Sequence, residues 1–349
     1  YEVHLAAGRA SPGYTDWEPR GRECADALFI VPDLRRPIEL AADLRALKQL
    51  IDLIRKQRYD IVHTHCAKAG VLGRIAGWLA GVPVVIHTFH LFSWHDAQAV
   101  TATLWEKSIS ALKKRLYIAI ERFAATLSDA LIMVSNLNKQ EAIRLKLAPS
   151  EKFVTIYSGI DLNRFTANSG RDEKCKALGL DPHRPVVGTV GRLSPQKAPL
   201  DFVTAAKIAL QRRPEAQFIM VGDGPLTPQV QQAIGNEHRI RMLGFQDNIP
   251  EILSVLDVFV LSSLWEGLGR ALTEAMAMGV PIAVTAVDGM PELVTHQQTG
   301  VLSPPQQPVQ LAENIVWLLD HPSEARQMGQ RARERVAPTF TAEQMVEQI

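Results

Sequence analysis

Two carboxylates stand eight positions apart in the segment from Trp265 through Glu266, Gly267, Leu268, Gly269 and Arg270 to Glu274, which follows the apolar run Val258–Leu261. The pattern predicts a strand, a glycine turn and a helix over Arg270–Met278, with Glu266 in the loop and Glu274 about one turn into the helix. A helix N-terminus favours anions through its free N–H groups and its dipole. Carboxylates there would repel a phosphate, so the ligands that suit them are hydroxyls, of a sugar and of a ribose. Upstream, Gly191-Arg192-Leu193-Ser194-Pro195-Gln196-Lys197 also lies between a strand pattern and a helix (Leu200–Leu210). Arg192 as a planar fork and Lys197 as a point charge can converge there on a diphosphate. Val221-Gly222-Asp223-Gly224-Pro225 repeats the strand, glycine turn and helix, without the Gly-Lys-Ser/Thr ending of a P-loop. Singly, each feature also reads as an ordinary solvated loop or surface helix charge.

The elements that must carry these loops follow from alternation. Apolar runs at Ala27–Val31, Ile61–His65, Pro83–His87 and Leu131–Val134, then Val186–Val190, Gln217–Val221, Val258–Leu261 and Pro281–Val284, are separated by helical patterns. That is the sequence form of an α/β chain with parallel sheets covered on both faces. Leu40, Leu44, Leu47, Ile51 and Ile54 have the spacing of one helix face. At 349 residues the chain exceeds one usual core. The polar, turn-rich stretch beginning at Tyr157 marks the junction. The expectation is a domain over 1–165, a linker over 166–184 and a second domain over 185–349, each a Rossmann-like doubly wound sheet, facing a cleft that holds the ligands.

Composition excludes other classes. With 46% hydrophobic and 21% charged residues the chain is neither disordered nor collagen-like, and Cys24, Cys66 and Cys175 are too few and scattered for a disulfide framework or a Cys-based metal site. Free thiols fit a reducing, cytoplasmic compartment. No apolar run reaches the ~18 residues of a membrane span. The net charge of +1 divides into +5 for residues 1–165 and −4 for the rest, which points weakly to an anionic partner for the first half. Nothing suggests a nucleic acid.

In order and spacing, GRLxxxK, VGDGP, Leu243-Gly244-Phe245, and two Glu with seven residues between them closely resemble a family 4 glycosyltransferase of the GT-B fold, over about Asp60 to Asn314. The resemblance implies transfer of a sugar from a UDP- or GDP-linked donor to a hydroxyl acceptor in polysaccharide, lipid-linked oligosaccharide or glycolipid synthesis, with retention of configuration. It implies no metal and no further cofactor; no Asp-x-Asp motif occurs. Glu266 would hold hydroxyls of the donor sugar and Glu274 those of the ribose, Arg192 and Lys197 the pyrophosphate. Gly222 and Gly224 would shape the donor loop, Gly244 and Phe245 would lie beside the base, and Gly267, Leu268 and Gly269 beside the donor. Many relatives carry Pro where Gly269 stands. In the first half, Asp60 to Gly70, His87 to His90, and Glu121-Arg122 with Val134-Ser135 are similar to the acceptor domain. His90 matches a histidine near the donor sugar, although Leu91 follows it where Gly is common. Family members begin with a strand, a glycine-rich loop and a helix before the segment that matches Tyr1–Gly8, so the first sheet is expected to lack a central strand.

Four rivals stand beside this reading. His63, His65, His87 and His90 could form a zinc site, but no Cys or carboxylate converges with them. Glu266 and Glu274 could be the acid pair of a glycoside hydrolase. A nucleotide-sugar-binding module without turnover, or an isomerase of the same fold, would share the donor loops. Finally, a helical wheel over 104–127 gathers Trp105, Ile109, Leu112, Leu116, Ile120, Phe123 and Leu127 on one side and Lys107, Lys114, Arg115 and Arg122 opposite. The apolar face is expected to pack and the basic face to stay free. That basic helix would dock the protein peripherally on an anionic membrane surface, at its inner face.

Overall fold

The computed structural model describes residues 1–9, 17–35, 37–92, 94, 104–165 and 170–349, with side chains in the helix that begins at Leu104 described from Ser110 onward. Contacts divide the chain into one unit of residues 1–134 and 138–155 and another of 135–137 and 156–349.

The first unit runs β1 (His4–Ala7), α1 (Glu18–Cys24), β2 (Ala27–Ile30), α2 (Leu40–Gln57), β3 (Ile61–His65) and α3 (Ala67–Ala80). It continues with β4 (Val84–Phe89), α4 (Leu104–Thr126), β5 (Ala130–Met133), α5 (Asn136–Arg144) and β6 (Phe153–Thr155). All pairings are parallel, and the strands form two separate sheets among the described residues, β1-β2 and β3-β4-β5-β6.

Two helices turn differently from their wheels. On α2 the buried row is Ala42, Ala46, Leu50 and Ile54, while Leu40 and Leu44 are exposed and Leu47 and Ile51 only half-buried. Small residues face inward because α2 packs on Ala76 of α3 and on Val31, and alanines permit the close approach. The correction on α4 is larger. Leu112, Leu116, Ile120 and Phe123 are exposed, and Ala124, Ala125 and Glu121 are buried, with Tyr117 and Ile118 packed against the core. The expected packed face is the outer one. Its cause lies in α3, where Arg74 is fully buried and donates from Nη2 to Glu121 Oε2 at 2.6 Å and from Nε to the Gly70 carbonyl at 2.9 Å. A buried guanidinium without its carboxylate would cost several kcal/mol, about 3–5 for a broken pair, so Glu121 must point inward and the stripe opposite it outward. Lys113, Arg115 and Arg122 are exposed and Lys114 is half-buried. Trp105, Lys107 and Ile109 fall outside the described side chains.

The second unit contains α6 (Arg171–Ala177), β7 (Val186–Val190), α7 (Pro199–Arg212), β8 (Gln217–Val221), α8 (Thr227–Ile234), β9 (Ile240–Gly244), α9 (Ile249–Ser254) and β10 (Val258–Leu261). Then come α10 (Arg270–Ala277), β11 (Ile282–Thr285), α11 (Met290–Leu293), β12 (Val301–Ser303), α12 (Pro308–Asp320), α13 (Pro322–Val336) and α14 (Ala342–Gln348). The parallel sheet has the order β12-β11-β10-β7-β8-β9, doubly wound, with its topological switch between β7 and β10. Residues 166–184, expected to be a linker, include α6, and Arg171 Nη2 meets Asp257 Oδ2 at 2.7 Å. Ile160 bridges to Thr341, so the chain from Ile156 onward groups with the second unit, earlier than the expected boundary at 165.

Candidate active site

At a switch point the chain leaves adjacent strands in opposite directions, and the loops at their carboxyl ends are splayed to form a crevice. In the second unit those are the loops after β7 and β10, which carry Arg192 with Lys197 and Glu266. Backbone hydrogen bonds stitch the neighbouring loops together. Gly191 N donates to Val221 O at 2.9 Å, Leu193 N to Asp223 O at 2.8 Å, and Gly222 N to Gly244 O at 2.8 Å. Gly222 has φ +120°, and a Cβ on it would lie 2.2 Å from the Gly191 carbonyl oxygen, so this approach requires glycine. Leu264 N donates to Gln196 O at 2.8 Å, and Ser262 Oγ to the carbonyls of Lys197 and Ala198 at 3.0 and 2.9 Å, joining the β10 loop to the β7 loop.

Glu266 is buried. Its Oε1 pairs with Lys197 Nζ and accepts from Ser263 Oγ at 2.8 Å, while Gln196 Nε2 approaches Oε2 at 3.4 Å. Its backbone N–H donates to Asp288 Oδ2 at 2.7 Å. Thus Glu266 and Lys197 touch one another, and a loop assigned to phosphate and a loop assigned to sugar share a charge pair. Arg192 is exposed on the same β7 loop. Gly267, Leu268 and Gly269 continue the β10 loop as buried residues into α10. Gly269 has φ +78°, which proline, fixed near −65°, cannot adopt. Glu274, on α10, is held by Arg270 Nε at 3.2 Å, and burial raises its carboxyl above the ordinary range against the pull of Arg270 and Arg164. Gly244 ends β9 at φ +67°, and Phe245 beyond it is exposed.

Gln196, Ser263, Arg270 and Asp288 were not singled out by spacing. Asp288 takes the left-handed φ of +43° before Gly289, and an Asp-Gly pair after an apolar run was the one signal available for it. Glu266 is paired with Lys197 of the β7 loop and Glu274 with Arg270 of its own helix, separate partners unlike those of a hydrolase pair that shares one scissile bond.

In the first unit, register sorts the histidines. His63 and His65 alternate with Thr64 on β3, and His87 on β4 pairs with Thr64. His87 therefore lies on the opposite face from His63 and His65, buried, with Nδ1 2.9 Å from Thr64 Oγ1. His63 Nε2 bonds Thr88 Oγ1 at 2.7 Å, and His65 Nδ1 bonds His90 Nε2 at 3.0 Å with the two rings stacked. The four rings do not converge on one point, which removes the four-histidine zinc arrangement. Burial lowers all four: His87 to about 2, with Arg74 adding to the effect, and His65 to about 4, with His63 and His90 adding. His90 therefore sits beside a neutral partner near neutral pH.

Comparison with known proteins accords with this arrangement. Residues 170–335 match the family model described as Glycosyl transferases group 1, and residues 1–159 the Glycosyl transferase 4-like domain. UDP-Gal:alpha-D-GlcNAc-diphosphoundecaprenol alpha-1,3-galactosyltransferase of Escherichia coli is 40% identical over 282 residues, 78% of this chain and 70% of that protein. Alpha-maltose-1-phosphate synthase of Mycolicibacterium smegmatis is 29% identical over 308 residues, 82% of this chain and 77% of its own. Among solved structures, Anabaena HepE in complex with UDP and glucose superposes with a TM-score of 0.80 at 21% identity, covering 99% of this chain and 98% of that one. Sucrose-phosphate synthase from Thermosynechococcus elongatus gives 0.80 at 23% identity, with 99% and 87% covered. Two parallel α/β units, donor-type loops at a switch point and these matches together place the chain in family 4 of the glycosyltransferases, as a nucleotide-sugar-dependent enzyme of the GT-B fold.

Proposed function

We propose that the chain transfers a hexose from a UDP-linked donor to a hydroxyl of a lipid-linked diphosphate sugar, with retention and without a metal ion. The observation that carries this is the paired loops at the β7/β10 switch point, with Arg192 and Lys197 on one and Glu266 on the other. The 40% identical relative supplies the donor and acceptor class by its name. Arg192 and Lys197 neutralise the leaving diphosphate, the work otherwise given to a divalent cation. Glu266 orients the sugar through its hydroxyls, and Glu274, steadied by Arg270, accepts from the ribose. Phe245 and Gly244 flank the base. The family pattern assigns His90 to the donor sugar, with His65 fixing its tautomer.

No side chain acts as a covalent nucleophile in this reading; the acceptor oxygen bonds to the anomeric carbon on the same face from which the nucleotide diphosphate departs, and its proton passes to the departing phosphate oxygen. An α-linked donor then yields an α product. Incubation with UDP-galactose and a GlcNAc-diphospho-lipid in EDTA should give a disaccharide-lipid whose new anomeric proton shows the small coupling of an α linkage. A β product overturns retention, and activity seen only after adding magnesium or manganese overturns metal independence.

A further inference from the structure

On α4, Leu112 is 68% exposed, Leu116 59%, Phe123 57% and Ile120 36%. These four side chains occupy an arc of about 80° at 3.6 residues per turn, and no polar residue of Ser110–Thr126 falls inside it. Lys113 borders the arc on one side, Arg115 and Arg122 on the other, and all three are exposed. Arg122 also donates to the Leu145 carbonyl at 2.6 Å, which holds its charge beside the stripe. Among the described side chains of α4 the one acid, Glu121, is turned inward to Arg74. Among the described residues no helix is long and apolar enough to cross a membrane.

We infer that this stripe is a docking surface for an anionic phospholipid bilayer, with Leu112, Leu116, Ile120 and Phe123 entering the acyl boundary and Lys113, Arg115 and Arg122 meeting headgroup phosphates. An apolar strip edged by cations, without acids, is the design of a helix that lies in the interface plane. The charges decide between occupants. A two-fold copy of the same face would set Lys113, Arg115 and Arg122 against cations, whereas a lipid surface of opposite sign complements both borders. The inference deepens the reading of a lipid-linked acceptor by naming the surface that meets the membrane, and it differs from the basic-face docking expected from the wheel.

The test uses the purified chain and vesicles of phosphatidylcholine, with or without phosphatidylglycerol, containing neither acceptor nor donor. The chain should sediment with the anionic vesicles and far less with the neutral ones. Replacing both Leu116→Ser and Phe123→Ser, at exposed positions where thermal unfolding should be unchanged, should lower partitioning on the order of tenfold or more. Replacing Lys113→Gln and Arg115→Gln should lower it about fivefold for each residue on anionic vesicles only. The inference is overturned if the chain does not bind anionic vesicles, if the serine variant binds as well as the parent, or if neutral vesicles bind equally. It is also overturned if light scattering shows a dimer that the serine changes separate into monomers. Each of these results leaves transfer to a soluble acceptor analogue untouched, so the docking surface and the proposed reaction fail separately.

Discussion

Glu266 and Glu274 look equivalent in the sequence and are not equivalent in the fold. Glu266 is buried with Lys197 and Ser263 on it, and Glu274 sits on α10 with Arg270 as its ion-pair partner. If one serves the sugar and the other the ribose, Glu274→Gln should weaken binding of both UDP and the UDP-sugar, and Glu266→Gln only that of the UDP-sugar, each by about 1.5–3 kcal/mol where a hydroxyl bonds. Arg192→Ala should weaken UDP by a similar amount and spare uridine. Titration calorimetry of the three variants with the three ligands checks this, and identical profiles for the two glutamine variants remove the division of roles. Loop residues of this kind were legible because glycine turns between a strand run and a helix have a distinctive order. Gln196 and Asp288 were not, since each touches the β10 loop from the loop of a neighbouring strand, and adjacency across a sheet leaves no trace in spacing; Ser263 shares its loop with Glu266 but stands beside Ser262, which turns to the carbonyls of Lys197 and Ala198 instead.

At the scale of elements, the strands most readily legible were the continuous apolar runs β7, β8 and β10, buried on both faces. The strands β6 and β12 have three residues each, and Val154 of β6 is exposed, so neither length nor pattern sets them apart. Strand parity has an energetic consequence on β4. His87 is neutral in the native state down to about pH 2, whereas its ordinary value is near 6.5. Below that value the unfolded chain takes up a proton that the native chain refuses, so stability is lost as pH falls through 6.5 and the loss continues toward the native value. Between pH 7 and 5 the contribution of His87 should be a loss of about 2 kcal/mol. Denaturant titrations at the two pH values should show a drop that is smaller by about that amount in His87→Gln, and an unchanged difference would refute the assignment.

For the molecule as a whole, the division into two parallel α/β units was legible from alternation and length, and the boundary was not, because the pairing of Ile160 with Thr341 joins positions far apart in the chain. The turn of α4 was hidden for a related reason. A wheel weighs each residue by its own polarity and cannot see that Arg74, on another helix, lies fully buried beneath it. Glu121→Leu alone should cost about 3–5 kcal/mol in a denaturation experiment, since it strands that guanidinium. Arg74→Met together with Glu121→Leu should be neutral or stabilising by about 1–4 kcal/mol. The same double change removes the reason for α4 to keep its leucines outward, and the helix becomes free to roll them into the interior. The chain would then be at least as robust and would lose the lipid-docking face we infer. Affinity for a bilayer is in this sense written where neither solvent nor lipid reaches, and in a homologue it should be sought first at the position of Arg74, before counting how greasy the outer helix is.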